Sequence, residues 1–360
     1  MNGEGLPVTG RPSAGLQTSE PLSIHGEGRA AAWVRSATAS RRALLAGAAG
    51  ALLGGCRRAA DPRVLRVGCM GTLAHAPSLV GLHSGRFERT LAARGVRLER
   101  AVFGAGPEVM SSLLAGAIDV GCLGPVPAVT AFVRTRGRSV QVVSGAASGG
   151  AVFVVRRGAG IRCAADLRGR NVATPQLGNT NDLSLRAWLR SQGMDATEYG
   201  GEVTVSPMKG SAMLAQMRRG MLDAAWVAEP WGARLVADAG AVVWIDERTL
   251  WRDGRFATAV LVMHRAYHAA AAGNVRLWVD AHAGEVARLR SDPARGMAET
   301  NAALRAITGR GVAPAVLAEA WGRLEFTTDP LEDSMRAMAR VGMELGMVPR
   351  GSLAGLVGSA

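Results

Sequence analysis

Few residues of this chain combine type and spacing in a way that could do covalent chemistry. His75, in the stretch Gly71-Thr72-Leu73-Ala74-His75-Ala76-Pro77-Ser78, is the one candidate base. A lone histidine in a loop also suits a hydrogen-bonding or cleft-lining role. Cys69 could be named a nucleophile with His75 as its base. It ends an apolar strand-like run, however, where a buried free thiol is the default. No Ser/His/Asp arrangement, no phosphate-cradling Gly-rich fingerprint and no metal-ligating cluster occurs, so neither a cofactor nor a metal is expected. What the chain offers is hydrogen bonding. In Pro175-Gln176-Leu177-Gly178-Asn179-Thr180-Asn181-Asp182, proline stops a strand, glycine permits a turn and the residues from Asn179 on are helix-capping types. Such a loop aims backbone N–H groups at one point, which suits an anionic group. An ordinary strand-to-helix turn has the same pattern. Glu229 could accept hydrogen bonds from a ligand amine, with Trp231 stacking an apolar chain, or it could cap a helix.

These residues need elements to position them. Apolar strand-like runs alternate with helical periodicity, which argues an α/β fold. Strands are expected at 64–68, 96–103, 118–123, near 140–143 and at 151–155. Helices are expected at 79–85, at 107–115 and from 128. The plan then repeats, with strands at 171–174, 203–205 and 222–227 and helices after 182 and around 213–217. The interval Gly106–Gly116 equals Gly210–Gly220, and Gly116–Asp119 equals Gly220–Asp223. In both copies a glycine ends a helix, as a left-handed cap does, and an aspartate precedes a buried strand. Two similar lobes follow from this repeat. A strand at 257–264 returns to the first lobe, and helices are expected at about 275–290, 293–307, 314–321 and 331–345. Lobe 1 is thus 63–155 with 256–360, and lobe 2 is 156–255. Ligands bind at the carboxyl ends of strands in such sheets. The loops 71–78, 124–127, 144–150, 175–182 and 228–231 would therefore face one cleft. They supply the candidate ligand-binding residues Thr72, His75, Gly124, Pro125, Ser148, Gly149, Gly150, Gln176, Gly178, Asn179, Thr180, Asn181, Glu229 and Trp231.

Composition narrows the class. The 360 residues are 48% hydrophobic and 20% charged, which is globular. The net charge is +13, and Lys209 is the only lysine. The arginines are scattered, with no basic run interleaved with aromatics, so no nucleic-acid partner is expected. Cys69, Cys122 and Cys163 lack a C-x-x-C pair and are expected to be free thiols; a Cys69–Cys122 disulfide is the lesser alternative. Ser40-Arg41-Arg42-Ala43-Leu44-Leu45 is a twin-arginine signature. The apolar segment 43–53 after it is too short to span a bilayer as a helix and has the layout of a secretory signal. It ends in Leu53-Gly54-Gly55-Cys56, which resembles the lipobox of bacterial lipoproteins. That resemblance implies export in a folded state and a lipid anchor on Cys56, outside the cytoplasm. Residues 1–33 are polar and rich in Gly and Pro, unlike an export leader. Translation is therefore expected to begin at Val34, which makes 34–55 the true signal and 56–62 the lipidated cysteine and linker. Peptides from 1–33 in the precursor would overturn this start.

Several stretches together resemble the substrate-binding proteins of ABC importers for sulfonates, nitrate and taurine. They are His75-Ala76-Pro77-Ser78-Leu79-Val80-Gly81, Ala117-Ile118-Asp119-Val120-Gly121-Cys122-Leu123-Gly124-Pro125, Gly145-Ala146-Ala147-Ser148-Gly149-Gly150, Ala173-Thr174-Pro175-Gln176-Leu177-Gly178-Asn179-Thr180 and Trp226-Val227-Ala228-Glu229-Pro230-Trp231. Asp246-Glu247-Arg248-Thr249-Leu250-Trp251 and Trp321-Gly322-Arg323-Leu324-Glu325-Phe326-Thr327 also fit, and the resemblance covers about 63–330. It implies a type II periplasmic binding fold, with two α/β lobes that close by a hinge on a small anionic solute. It implies a monomer that delivers the solute to a permease driven by a cytoplasmic ATPase, and no enzyme activity. An aliphatic sulfonate comes first among ligands; nitrate, taurine, bicarbonate and aromatic or pyrimidine compounds stay open. No arginine falls in the cleft loops, so neutral donors are expected to hold the ligand. Two other classes share the architecture: a sulfinate desulfinase or thiamine-pyrimidine synthase, the former needing a cleft cysteine, and a ligand-handing sensor domain.

Overall fold

The computed structural model of the protein describes residues 61–359. The twin-arginine pair, the apolar segment, Val34 and Cys56 lie outside the described residues. The chain opens with strand β1 (Val64–Met70), a 3-10 turn at Leu73–His75, helices α1 (Ala76–His83) and α2 (Arg86–Ala92), and strand β2 (Arg97–Phe103). Next come α3 (Gly106–Leu114), β3 (Val120–Leu123), α4 (Pro125–Arg134), β4 (Val140–Gly149) and β5 (Ala151–Val155). The second section holds β6 (Asn171–Thr174), α5 (Thr180–Ser191), β7 (Thr204–Pro207), α6 (Gly210–Arg218), β8 (Ala224–Ala228), α7 (Trp231–Ala239) and β9 (Val242–Asp246). The tail consists of β10 (Ala257–His264), α8 (Arg265–Ser291), α9 (Pro293–Thr308), α10 (Pro314–Trp321), β11 (Leu324–Phe326) and α11 (Glu332–Glu344).

Six strands form one sheet in the order β11-β4-β10-β3-β1-β2, and five form a second, β7-β6-β8-β5-β9. The central strands read as apolar runs because helices cover both faces of each sheet. In the first lobe one face packs Leu65, Val67 and Leu261 against Leu79, Trp278 and Leu304. The other packs Val260 and Val262 against Val109, Phe132 and Met335. In the second lobe Phe153 stacks on Trp226 at 5.1 Å and meets the edge of Trp188 at 5.5 Å. The opposite face is built on Met213, Met217 and Leu235.

The structure differs from the sequence reading at the first crossing between lobes. Residues 144–149 of the expected loop 144–150 are the end of β4: Ser148 pairs with Ala257, and Ala147, Ser148 and Gly149 pair with β11. Pairing from distant strands imposes the extended form on small residues of low strand propensity. Residues 151–155, expected in lobe 1, form β5 in the second sheet, antiparallel to β8 and β9. The crossing is made by Gly149 and Gly150 alone, at φ +72° and +73°, where a side chain is strained. A Cβ on Gly150 would also lie 2.3 Å from Leu324, and one on Gly149 2.5 Å from the Arg323 carbonyl.

The internal repeat has a physical basis. Asp119 Oδ2 accepts the Arg66 N–H at the start of β1 at 2.8 Å, and its own N–H donates to the Arg66 carbonyl. Asp223 does the same for Asn171 at the start of β6, accepting its N–H at 3.1 Å. Each aspartate therefore fixes the register of a parallel pair. Gly116 and Gly220 end α3 and α6 at φ +68° and +73°. Among the described residues, no helix is long and apolar enough to cross a membrane.

Candidate functional site

A cavity of about 650 Å³ is lined by residues of both lobes. Its position follows from the parallel strands, whose carboxyl ends meet across it. Five helices begin there. Gly106 opens α3, Gly124 caps α4, Asn179 to Asn181 open α5, Lys209 to Ser211 open α6 and Trp231 opens α7, and all of these residues line the cavity. First-turn N–H groups have no intrahelical acceptor. Each helix end adds a partial positive charge, on the order of half a unit. The walls beside these polar ends are apolar: Met70, Phe103, Met213, Trp231, Phe256 and Ile307. Trp251 stacks on Phe256 at 5.4 Å, and the Arg234 guanidinium lies 5.0 Å from the Trp231 ring centre.

The capping residues are used as their types dictate. Asn179 Oδ1 accepts the Asp182 N–H at 2.8 Å. Asp182, fully buried, accepts from Gly178 N–H, Thr174 Oγ1 and Arg186 Nε. Its charge is satisfied inside lobe 2. Thr180 Oγ1 accepts a long 3.4 Å contact from the Val126 N–H, so the openings of α4 and α5 meet across the lobes. Thr72 Oγ1 donates to the Glu229 carbonyl at 3.0 Å, joining the lobes on the other side.

Of the sequence-derived candidates, Thr72, His75, Gly124, Asn179, Thr180, Asn181 and Trp231 line the cavity together. The other seven do not. Pro125 is buried at the first position of α4. Ser148 accepts the Phe256 N–H at 3.1 Å within the sheet, and Gly149 and Gly150 make the crossing. Gln176 is half-buried, and Gly178 supplies the turn at φ +74°. Glu229 takes the helix-capping role: it accepts the Ala233 N–H at 2.9 Å and an Arg323 hydrogen bond at 2.6 Å. Burial outweighs these bonds and raises its carboxyl above the usual range.

Two charged cavity residues escaped the sequence reading. Lys209, the only lysine, lines the cavity and forms no ion pair among the described residues. Glu247 also lines it, buried, and accepts from Trp226 Nε1 at 2.6 Å and Ser184 Oγ at 2.8 Å. Burial raises its carboxyl above the usual range despite those bonds. The strand-end rule, applied to the loops after β1, β3, β6 and β8, holds equally for those after β2 and β7. These supply Phe103 to Gly106 and Lys209 to Ser211. Glu247 lies on the second crossing between lobes, in a 3-10 turn capped by Asp246 that follows no strand-end loop of the sequence reading.

Neither the base nor the nucleophile that the sequence offered is poised for chemistry. His75 is buried, its Nδ1 accepts the Met70 N–H at 3.4 Å, and desolvation brings its pKa down to about 3. It is a neutral ring and a poor base, since basicity follows pKa. Cys69 is buried, does not line the cavity, and has its thiol pushed up to about 12 by burial. It stays protonated and unreactive. Among the described residues, Cys69, Cys122 and Cys163 are free thiols. No cluster of three or more His, Cys, Asp or Glu among them could hold a metal ion.

Comparison with known proteins agrees with this geometry. The sequence model of the NMT1-like family matches residues 58–300. The nitrate/nitrite binding protein NrtA of Synechococcus elongatus is 41% identical over 59 residues, which are 16% of this chain and 13% of NrtA. An Escherichia coli protein named for binding aliphatic sulfonates is 27% identical over 156 residues, 43% of this chain and 47% of that one. The chain therefore spans less than half the length of either relative in these alignments. The alkanesulfonate-binding protein SsuA of Xanthomonas axonopodis pv. citri, solved bound to MOPS, superposes with a TM-score of 0.68 at 20% identity. That match covers 84% of this chain and 100% of SsuA. This likeness shows the type II periplasmic binding fold.

Proposed function

The chain belongs to the NMT1-like family, and we propose that it is the extracytoplasmic solute-binding protein of an ABC importer for an organic anion, an aliphatic sulfonate first. The observation that carries this is the convergence of five helix N-termini with Lys209 on one cavity. Backbone N–H groups and a single ammonium suit a sulfonate's three acceptor oxygens. The sequence expectation of purely neutral donors changes accordingly: Lys209 joins them. The apolar walls favour a solute with a hydrocarbon or cyclic body over nitrate, which would leave most of 650 Å³ unfilled. The names of the relatives point the same way. Ligand contacts to both lobes would favour the closed arrangement, which then docks on a permease driven by a cytoplasmic ATPase. The same reading makes the protein a monomer held at the outer face of the membrane by a lipid on Cys56, with translation starting at Val34. The absence of a reactive cysteine at the cavity supports binding over desulfination.

Thermal unfolding against alkanesulfonates, taurine, nitrate, bicarbonate and pyrimidines tests the assignment. A ligand at a hundredfold excess over its Kd adds about 2.7 kcal/mol of stability. A raised midpoint with longer alkanesulfonates, and none with nitrate, is expected. A shift with pyrimidines alone would discard the sulfonate. Mass spectrometry of the mature N-terminus checks Cys56 and its lipid.

A further inference from the structure

The end of lobe 1 opposite the cavity gathers arginines from four separate segments of the chain. β1 and β3 are parallel, and β10 runs antiparallel to both β3 and β4, so β1, β3 and β4 start at the same end. The residues before β1, the turn between α4 and β4 and the junction between β10 and α8 therefore lie together. Contacts join them: Arg265 N–H donates to the Ser139 carbonyl at 2.8 Å, and Asn274 Nδ2 to the Pro62 carbonyl at 2.6 Å. A Cβ on Gly351 would meet Val133 at 2.6 Å, which brings Arg350 to the same place.

Arg63, Arg134, Arg136, Arg138 and Arg350 are exposed here and Arg265 is half-buried. None of the six forms an ion pair within 4.0 Å among the described residues. Some arginines in the body of the fold are paired, as Arg66 is with Asp119, Arg86 with Glu285 and Arg156 with Asp223; others, such as Arg157, Arg218 and Arg219 on lobe 2, are exposed like these. The nearby Asp61 accepts the Arg63 N–H. Arg136 sits at φ +51°, a conformation glycine or asparagine would adopt at lower cost. Arg134, in the last turn of α4, is explained by the helix dipole; Arg138 Nε donates to the Thr135 carbonyl and Arg265 to the Gly355 carbonyl, each at 3.3 Å.

The described chain begins at this end, at Asp61, a few residues after Cys56. Extended chain advances at most about 3.6 Å per residue, so a lipid on Cys56 would hold this end within roughly 20 Å of a bilayer. We infer that the basic end of lobe 1 is a docking surface for anionic lipid headgroups. Attraction to headgroups needs only the arginines; the facing of this end toward the bilayer rests on the reading of Cys56 as lipid-bearing.

The test uses the full chain with Cys56→Ser, so that no lipid attaches, in sedimentation with phosphatidylcholine vesicles with and without phosphatidylglycerol. Binding to the anionic vesicles alone, released by salt, is expected. The triple change R134Q/R136Q/R138Q should lower partitioning roughly a hundredfold. The matched change R157Q/R218Q/R219Q, at exposed arginines of lobe 2, should leave it unaltered. Equal partitioning of the first triple variant and its parent would overturn the proposal, as would equal losses in both variants. Unchanged melting midpoints exclude misfolding. A missing lipid on Cys56 of the wild-type chain would remove the tether and leave the vesicle result to stand by itself.

Discussion

At the scale of single residues, binding and stability rest on different groups. Lys209 makes no ion pair among the described residues, so Lys209→Met should barely change the unliganded melting midpoint. Losing a charged hydrogen bond of about 1.5–3 kcal/mol should weaken sulfonate binding ten- to hundredfold by calorimetry. His75 and His282 are both neutral by burial, with pKa values brought down to about 3 and about 4. Below the ordinary histidine value the unfolded chain takes up protons that the folded chain refuses. Their contribution is therefore full above about pH 6.5 and is lost as pH falls toward 3–4, by up to ~1.4 kcal/mol per pH unit for each ring. Glu229 and Glu247, raised by burial, act in the opposite sense. Denaturant midpoints of His282→Gln and the parent, compared at each pH, isolate one ring, and the variant should show the shallower slope. Half of the sequence candidates line the cavity. Capping types and strand-end loops led to Asn179, Thr180, His75 and Trp231. Glu229 was misassigned between its two readings because Arg323, its partner, lies 94 residues away in the chain.

At the scale of elements, the repeat visible in the sequence turned out to be a pair of strand pins. Asp119 and Asp223 each accept a backbone N–H of a neighbouring strand, from Arg66 and Asn171, yet their cations differ. Arg66 is buried, whereas the Arg156 side chain is 23% exposed. Asp119→Ala leaves the buried Arg66 with only the partly exposed Glu99 at 3.5 Å, at a cost of about 3 kcal/mol, and Asp223→Ala should cost clearly less; chemical denaturation checks the ranking. Strands with continuous apolar runs were legible because both faces are covered. The crossing at Gly149 and Gly150 was not: small residues carry no periodicity, and their extended form comes from β10 and β11, more than 100 residues later. Helix α8 likewise starts ten residues before its expected position, because the alanine-rich stretch after His264 has no apolar face to read.

For the whole molecule, the contact between lobes sets how ligand and closure are coupled. Glu229 at the start of α7 pairs with Arg323 beside β11, and the Arg234 guanidinium donates to the Gly311 carbonyl at 3.0 Å. Removing either member of the Glu229–Arg323 pair should open the ligand-free protein, seen as a larger radius of gyration in X-ray scattering. It should also weaken ligand binding. The double variant E229Q/R323M should recover part of the loss, because no buried charge is left alone. One more consequence comes from the chain holding a single lysine. Apart from a terminal amine, acylating reagents have one target, and it lines the cavity. Occupancy can then be read as protection of one side chain from acetylation. The unaltered protein becomes its own footprinting probe, with no engineered label to disturb the site.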